Sequence, residues 1–158
     1  MNQSHKPIKP DVIFVVGGPG SGKGTQCEKI RDNFGWNHLS TGDLLRKEKN
    51  SKSNISEEIN RIMEEGKLVP TEILIKLLKK EMEAIGWDKK FIIDGFPRGQ
   101  ENIDVWNKYI GDSANLKFVL YFDLDEETMR KRLLKSLKSF YNTSYVIIRS
   151  AAGLASFK

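Results

Sequence analysis

The 158-residue chain has a single cysteine, Cys27, so no disulfide can form within it. No stretch approaches the roughly 18 consecutive apolar residues that a membrane-spanning helix needs. The opening residues, MNQSHKPIKP, also lack the apolar segment of a secretory signal. These absences argue against a disulfide-stapled, membrane-bound or secreted protein. A cytoplasmic location is therefore expected, with the nucleus as an alternative.

Charge is only modestly unbalanced, with 26 lysines and arginines against 21 acidic residues and a net charge of +5. Two interpretations are open: a nucleic-acid-binding surface, or lysines that solvate helix faces together with a few arginines that bind phosphate. Zinc-finger, RNP and basic-region patterns are missing, and the basic residues are interspersed with glutamates. The second interpretation is favoured, and we expect a monomer with no nucleic-acid or membrane partner.

The hydrophobic pattern predicts an α/β fold. Apolar, β-branched segments at 11–16, 36–40, 91–94 and 117–123 have the character of buried strands, and they alternate with segments of helical periodicity. This order predicts βαβ units, a central parallel sheet and helices on both faces, in one domain over 1–158. A further strand is predicted at 145–148, and Thr71 is predicted to cap the helix that follows it.

A glycine-rich segment, GGPGSGKGT, follows the first predicted strand and opens the next helix. It matches the pattern G-x-x-x-x-G-K at Gly17, Gly22 and Lys23, whose backbone N–H groups and lysine cradle phosphates. Gly24 stands where Ser or Thr usually follows the lysine, and Thr25 comes next. The sequence therefore predicts a P-loop three-layer α/β/α fold that binds a nucleoside triphosphate.

Further charged residues are expected at the same edge of the sheet. Asp94 ends a buried strand, where a carboxylate can hold hydrated Mg²⁺. Arg98 follows a Gly-Phe-Pro turn and suits bidentate phosphate binding. Arg46 either reaches a second phosphate or is an ordinary exposed helix residue.

Several catalytic groups are missing from the sequence pattern. It shows no partnered Ser/His or Cys/His pair and no metal-ligand cluster; His5 and His38 are interpreted as structural or solvated, and Cys27 as a packing residue. A kinase whose acceptor is a hydroxyl usually needs a base. A phosphate acceptor is already ionised, so positioning and charge neutralisation suffice.

Five segments, GGPGSGKGT, LSTGDLLR, EGKLVPTEI, DGFPRGQEN and YFDLDEETMRKRLL, resemble in order and spacing the nucleoside monophosphate kinases of the adenylate kinase family. The resemblance covers about residues 10–134. It implies an ATP-dependent, Mg²⁺-requiring kinase in which 40–69 form a monophosphate-binding subdomain. ATP would contact Gly18, Gly20, Ser21, Gly22, Lys23, Gly24 and Thr25. The monophosphate would contact Thr41, Gly42, Arg46, Lys67, Leu68, Val69, Gly95, Phe96, Pro97, Arg98 and Asn102. The catalytic residues would be Lys23, Asp94, Arg98 and Arg132, with Asp94 holding the metal through water.

Within the family, the segment FPRGQENIDVWNK is most similar to the kinases that act on UMP and CMP. Asn102 stands where adenylate kinases usually have a glutamine that reads adenine, although Gly99 departs from the asparagine usual in the pyrimidine branch. UMP and CMP are therefore the expected acceptors. The alternatives are an adenylate kinase acting on AMP and a nucleotide-binding protein with little activity.

The resemblance stops after Leu134. The family has a second arginine there, then a lid segment with further arginines, whereas this chain has Ser136 and no lid motif. We expect the lid to be absent or degenerate after about residue 135. Because lid arginines neutralise charge on the transferring phosphoryl group, turnover would then fall more than nucleotide binding.

Overall fold

A six-stranded sheet with helices on both faces organises the chain. The computed structural model describes residues 8–135, 146–150 and 153–157. The strands are β1 (Asp11–Gly17), β2 (Asn37–Ser40), β3 (Lys90–Asp94), β4 (Asn115–Phe122), β5 (Val146–Ser150) and β6 (Gly153–Phe157). The α-helices are α1 (Lys23–Phe34), α2 (Thr41–Lys49), α3 (Asn54–Glu64), α4 (Thr71–Ile85), α5 (Gln100–Tyr109) and α6 (Glu126–Lys135).

The predicted parallel sheet is confirmed for four strands, in the order β2-β3-β1-β4. β1 lies between β3 and β4 and is covered on both faces, so both Val12 and Val15 are fully buried. A strand buried on both faces needs a continuous apolar run, which the sequence DVIFVVG supplies. The carboxyl ends of these four strands share one edge of the sheet.

The two remaining strands run the other way. β5 pairs antiparallel with β4, and β6 pairs antiparallel with β5. The strand predicted at 145–148 is thus present from Val146 and extends to Ser150, but β6 was not predicted. The lid is expected to be absent or degenerate after about residue 135. Residues 136–145 lie outside those described, so this expectation stays a prediction.

Two apolar clusters hold the layers together. On one face of the sheet, residues of α4 and α5 pack on Phe14, whose ring centroid lies 4.9 Å from that of Trp106 and 5.2 Å from that of Phe96. On the other face, Cys27 of α1 packs on Val15 and other strand residues. Burying one such large apolar side chain stabilises a fold by about 1.5–3 kcal/mol. Among the helices in the described ranges, none has the length and apolar character needed to cross a bilayer.

Side chains near the helix ends show one cap and one departure from the sequence-based expectation. Asp125 caps α6 by accepting a hydrogen bond from the Thr128 N–H at 2.8 Å. Thr71 does not cap α4: Pro70 occupies the N-cap position, and Thr71 is the first helical residue. Its hydroxyl instead forms hydrogen bonds with two residues of α5. These bonds depend on the packing of α4 against α5, which the local sequence does not show.

Candidate functional site

The glycine-rich segment forms a tight loop between β1 and α1. Gly20 and Gly22 have positive φ angles of 79° and 91°, which residues with a Cβ rarely adopt. The Ser21 N–H donates to the Gly18 carbonyl at 3.2 Å, and Ser21 is fully buried. Gly24 and Thr25 are exposed in the first turn of α1. The loop therefore ends at a helix N-terminus, whose unpaired N–H groups attract anions.

Lys23 holds its ammonium group against this loop. Its Nζ donates to the carbonyl oxygens of Gly17 at 2.7 Å and Gly18 at 2.9 Å. These contacts fix the side chain beside the curve of the loop rather than along the surface of α1. A positive charge is thus positioned where phosphate oxygens would bind.

Helix α6 lies directly against the loop. A Cβ placed on Gly20 would lie 2.7 Å from the Met129 carbonyl oxygen and 3.0 Å from Leu133 Cγ. Arg132 follows Met129 by three residues, so the two side chains share one side of α6. The structure thus brings the helix that carries Arg132 to the phosphate loop. Met129 and Leu133 were not predicted as neighbours of the loop, because only the three-dimensional packing shows their contact.

Asp94 is the last residue of β3 and lies level with Val15 of β1 and Ser40 of β2. The next residue, Gly95, donates its N–H to the Val15 carbonyl at 3.0 Å, which locks the strand end beside the phosphate loop. The Oδ1 atom of Asp94 is buried and accepts no hydrogen bond from any residue that the structure describes. A buried carboxylate oxygen without a partner fits a ligand of hydrated Mg²⁺.

The fold brings together three residues of types that can bind metal, although the sequence pattern shows no metal-ligand cluster. Ligand atoms of Cys27, His38 and Asp94 lie within 4.8 Å of one another, and His38 Nε2 is 3.6 Å from Asp94 Oδ2. The three residues come from α1, β2 and β3, and their positions in sequence give no metal-binding spacing. Parallel pairing of β2 with β3 brings His38 to Asp94. His38 is largely buried there, which agrees with the structural rather than the solvated interpretation.

Cys27 is predicted to be unreactive while the protein is folded. Burial and the nearby Asp94 charge raise the pKa of its thiol to about 12, so the thiol is protonated at pH 8. Because the thiolate is the nucleophile, reaction with a disulfide reagent at pH 8 should be on the order of a thousandfold slower in the folded than in the unfolded protein. With one cysteine per chain, the thiol count is unambiguous. Equal rates in the two states would contradict this prediction.

Thr41, Gly95 and Arg98 meet at the end of β3. The Thr41 hydroxyl donates to the Asp94 carbonyl at 3.0 Å, and Arg98 Nε donates to the Gly95 carbonyl at 3.0 Å. Gly95 has a φ of 78°, and a Cβ there would lie 2.9 Å from Thr41 Oγ1. Arg98 is thereby folded back over the strand end with its guanidinium exposed to solvent. Phe96 is fully buried and Pro97 half-buried, which anchors the turn in the core.

Arg46 lies across Gly42 at the start of α2. A Cβ on Gly42 would lie 3.2 Å from Arg46 Nη1, and Arg46 Nη2 forms an ion pair with Asp43. The hydrogen bond from Arg46 holds the pKa of the Asp43 carboxyl below its usual range. The Ser40 hydroxyl caps the helix by accepting from the Asp43 N–H at 3.3 Å. The guanidinium is exposed, and the pairing with Asp43 fixes its direction over the first turn.

The segment 67–69 lies at the surface beyond the end of α3. Lys67 Nζ pairs with Glu65 at 2.7 Å, and the side chain of Leu68 is 92% exposed. Val69 is half-buried. The structure thus places this segment on the surface rather than packed against the phosphate loop.

The side chain of Asn102 is hydrogen-bonded to the backbone of Arg98. Its Oδ1 accepts from the Arg98 N–H at 2.9 Å, and its Nδ2 donates to Thr71 Oγ1 at 2.8 Å. A carboxamide and a guanidinium are therefore held on one rigid unit that begins at the end of β3. Thr71 and Glu101, which complete this contact, were not predicted as site residues.

Comparison with known proteins agrees with this arrangement. The family described as Adenylate kinase matches residues 15–151. The UMP-CMP kinase of Homo sapiens is 50% identical over 137 residues, which cover 84% of this chain and 70% of that protein. UMP-CMP kinase 3 of Arabidopsis thaliana is 54% identical over 126 residues, covering 80% of this chain and 61% of that protein. The chain therefore belongs to the adenylate kinase family.

Proposed function

We propose that this chain transfers the γ-phosphoryl group of ATP to the phosphate of UMP or CMP, giving ADP and the pyrimidine diphosphate. One observation carries the proposal: the backbone N–H of Arg98 donates to Asn102 Oδ1 at 2.9 Å, next to Asp94 and the phosphate loop. This bond fixes the distance between a guanidinium that would bind the phosphate and a carboxamide that would bind the base. The relatives that carry the name UMP-CMP kinase support the choice of pyrimidine.

The donor nucleotide would bind at the phosphate loop. The loop from Gly18 to Thr25 would bind the phosphates of ATP through the ammonium of Lys23 and through backbone N–H groups. Pro19 has no N–H and the Ser21 N–H is used by Gly18, so the N–H groups of Gly20 and of residues 22–25 are the available donors. Asp94 would hold hydrated Mg²⁺ beside the phosphates, because its Oδ1 is buried and accepts no hydrogen bond from the described residues. When bound, the metal supplies charge neutralisation at the β- and γ-phosphates.

The acceptor would bind on the other side of Asp94. Arg98 would bind its phosphate, Arg46 would reach the same phosphate from above Gly42, and Thr41 would line the floor. The segment Lys67, Leu68 and Val69 would meet the nucleoside when the subdomain 40–69 moves towards the sheet. The exposure of Leu68 supports this role, because a large apolar side chain at the surface gains from being covered.

The reaction needs no protein base in this arrangement. An oxygen of the acceptor phosphate is already ionised and attacks the γ-phosphorus, while the bond to the β-phosphate oxygen breaks and ADP leaves. Lys23, Arg98 and Arg132 supply positive charge around the transferring group and hold donor and acceptor in line. This chemistry does not need a partnered general base, and the sequence pattern shows none.

A coupled assay of ADP formation tests the proposal. With ATP and Mg²⁺, we expect turnover with UMP and CMP at a higher kcat/KM than with AMP. Asp94→Asn should lower kcat by about a hundredfold, because it removes charge that orders the metal's water shell. Asp112→Asn, which changes an exposed aspartate outside the site, is the matched control and should have wild-type kcat. A preference for AMP, or no ADP above background, would contradict the proposal.

A further inference from the structure

Thr71, Glu101 and Asn102 form a chain of hydrogen bonds between α4 and α5. The Thr71 hydroxyl donates to Glu101 Oε1 at 3.0 Å, and Asn102 Nδ2 donates to Thr71 Oγ1 at 2.8 Å. Thr71 is only 6% exposed, so its hydroxyl has little access to water. Losing either partner would leave a buried polar atom unsatisfied, which makes the arrangement specific.

The donors and acceptors fix every direction in this chain. The carboxylate oxygen of Glu101 accepts this bond, so the single hydroxyl hydrogen of Thr71 points to it. Thr71 Oγ1 must then accept from Asn102, and only the NH₂ end of that amide can donate. The other end of the amide is fixed independently, because the Arg98 N–H is a donor and requires the amide oxygen. The orientation of the Asn102 amide is therefore determined rather than free to flip.

The fixed amide retains one N–H hydrogen and one oxygen lone pair beyond those that the protein uses. Uracil presents a donor at N3 beside an acceptor at O2, and cytosine presents a donor at N4 beside an acceptor at N3. These two edges have the same order of donor and acceptor, so a fixed amide can pair with either one when the base shifts by one ring position. An amide free to rotate would lose conformational entropy on binding the base, and a fixed amide would not.

We propose that Thr71 is a positioning residue for recognition of the pyrimidine base, acting through Asn102. This inference rests on the proposed function, since it assigns a role within the acceptor site. Thr71 does not touch the phosphates: its hydroxyl is committed to Glu101 and Asn102. Its effect should therefore be confined to the base, and ATP and the sugar phosphate should bind as before.

Calorimetric binding of UMP, CMP, ATP and ribose 5-phosphate to variants tests this role. Thr71→Val removes the hydroxyl and keeps the shape, so Kd for UMP and CMP should rise about tenfold. Thr71→Ser keeps the hydroxyl and should bind like wild type. Kd for ATP and ribose 5-phosphate, which lacks a base, should be unchanged in both variants. In turnover, the loss should appear in KM for the monophosphate and not in kcat.

A double-mutant cycle separates positioning from a general structural role. In an Asn102→Ala background, Thr71→Val should cause no further loss of UMP binding, because the amide it orients is gone. If Thr71→Val lowers the melting temperature sharply, Thr71→Ala is the replacement variant. An equal loss of ribose 5-phosphate and UMP binding, or unchanged UMP binding, would overturn the inference. Failure of the wild type to bind UMP and CMP would instead overturn the proposed function.

Discussion

Replacing Lys23 by methionine should lower kcat by about a thousandfold, the size expected when a positive donor aimed at transition-state charge is removed. Methionine keeps most of the length of the side chain, so the effect isolates the ammonium. In the structure this group is held beside the loop by the carbonyls of Gly17 and Gly18, at 2.7 and 2.9 Å. The measurement is kcat with UMP and saturating ATP.

The matched control is Lys29→Met, which makes the same change at an exposed lysine on α1. It should keep wild-type kcat and nearly the wild-type melting temperature. If both variants lost activity equally, a change in net charge or in folding would explain the loss, and the position of the Lys23 ammonium would not. A Lys23→Met enzyme with kcat within a few-fold of wild type would contradict the role given to the loop.

Replacing Gly20 by alanine should lower kcat/KM for ATP by about a hundredfold. The added Cβ would lie 2.7 Å from the Met129 carbonyl oxygen, a backbone atom that cannot move without shifting α6. The φ of 79° adds strain of roughly 1–2 kcal/mol for a residue with a Cβ. The loop and the helix carrying Arg132 must therefore separate, and small misplacements of phosphate-binding groups cost orders of magnitude in rate.

Gly99→Ala provides the comparison for this change. Gly99 has an extended backbone with a φ of −179°, and a Cβ there meets nothing within 4 Å. The same added methyl group should thus leave kcat/KM for ATP unchanged. Steady-state kinetics on the two variants, with melting temperatures alongside, distinguish a local clash from a general intolerance of alanine. Wild-type kinetics for Gly20→Ala would show that α6 does not constrain the loop.

The sequence predicted those elements whose signal is local. β1 is recognisable because a strand buried on both faces must be apolar throughout, and the phosphate loop because its glycines and lysine occur at fixed spacing. Asp94 could be placed at the sheet edge because the carboxyl ends of parallel strands meet there. Each of these inferences needs only neighbouring residues and one general rule of packing.

The missed features depend on contacts between distant segments. The proximity of Cys27, His38 and Asp94 follows from the pairing of β2 with β3, and residues 41–89 separate those strands. Thr71 was predicted as a cap because threonine often has that role, but α5 offers its hydroxyl better partners. The last strand, β6, was missed because its sequence, GLASF, has weak β-propensity.

Transfer of labelled phosphate from ATP tests the proposed reaction itself. The chain is incubated with Mg²⁺, UMP and ATP labelled in the γ-phosphate, and the nucleotides are separated. We expect the label in UDP in an amount equal to the ADP formed, with transfer slowed about a hundredfold by Asp94→Asn and about a thousandfold by Lys23→Met. Label recovered only as inorganic phosphate, or remaining in ATP, would show that the chain does not phosphorylate a pyrimidine monophosphate.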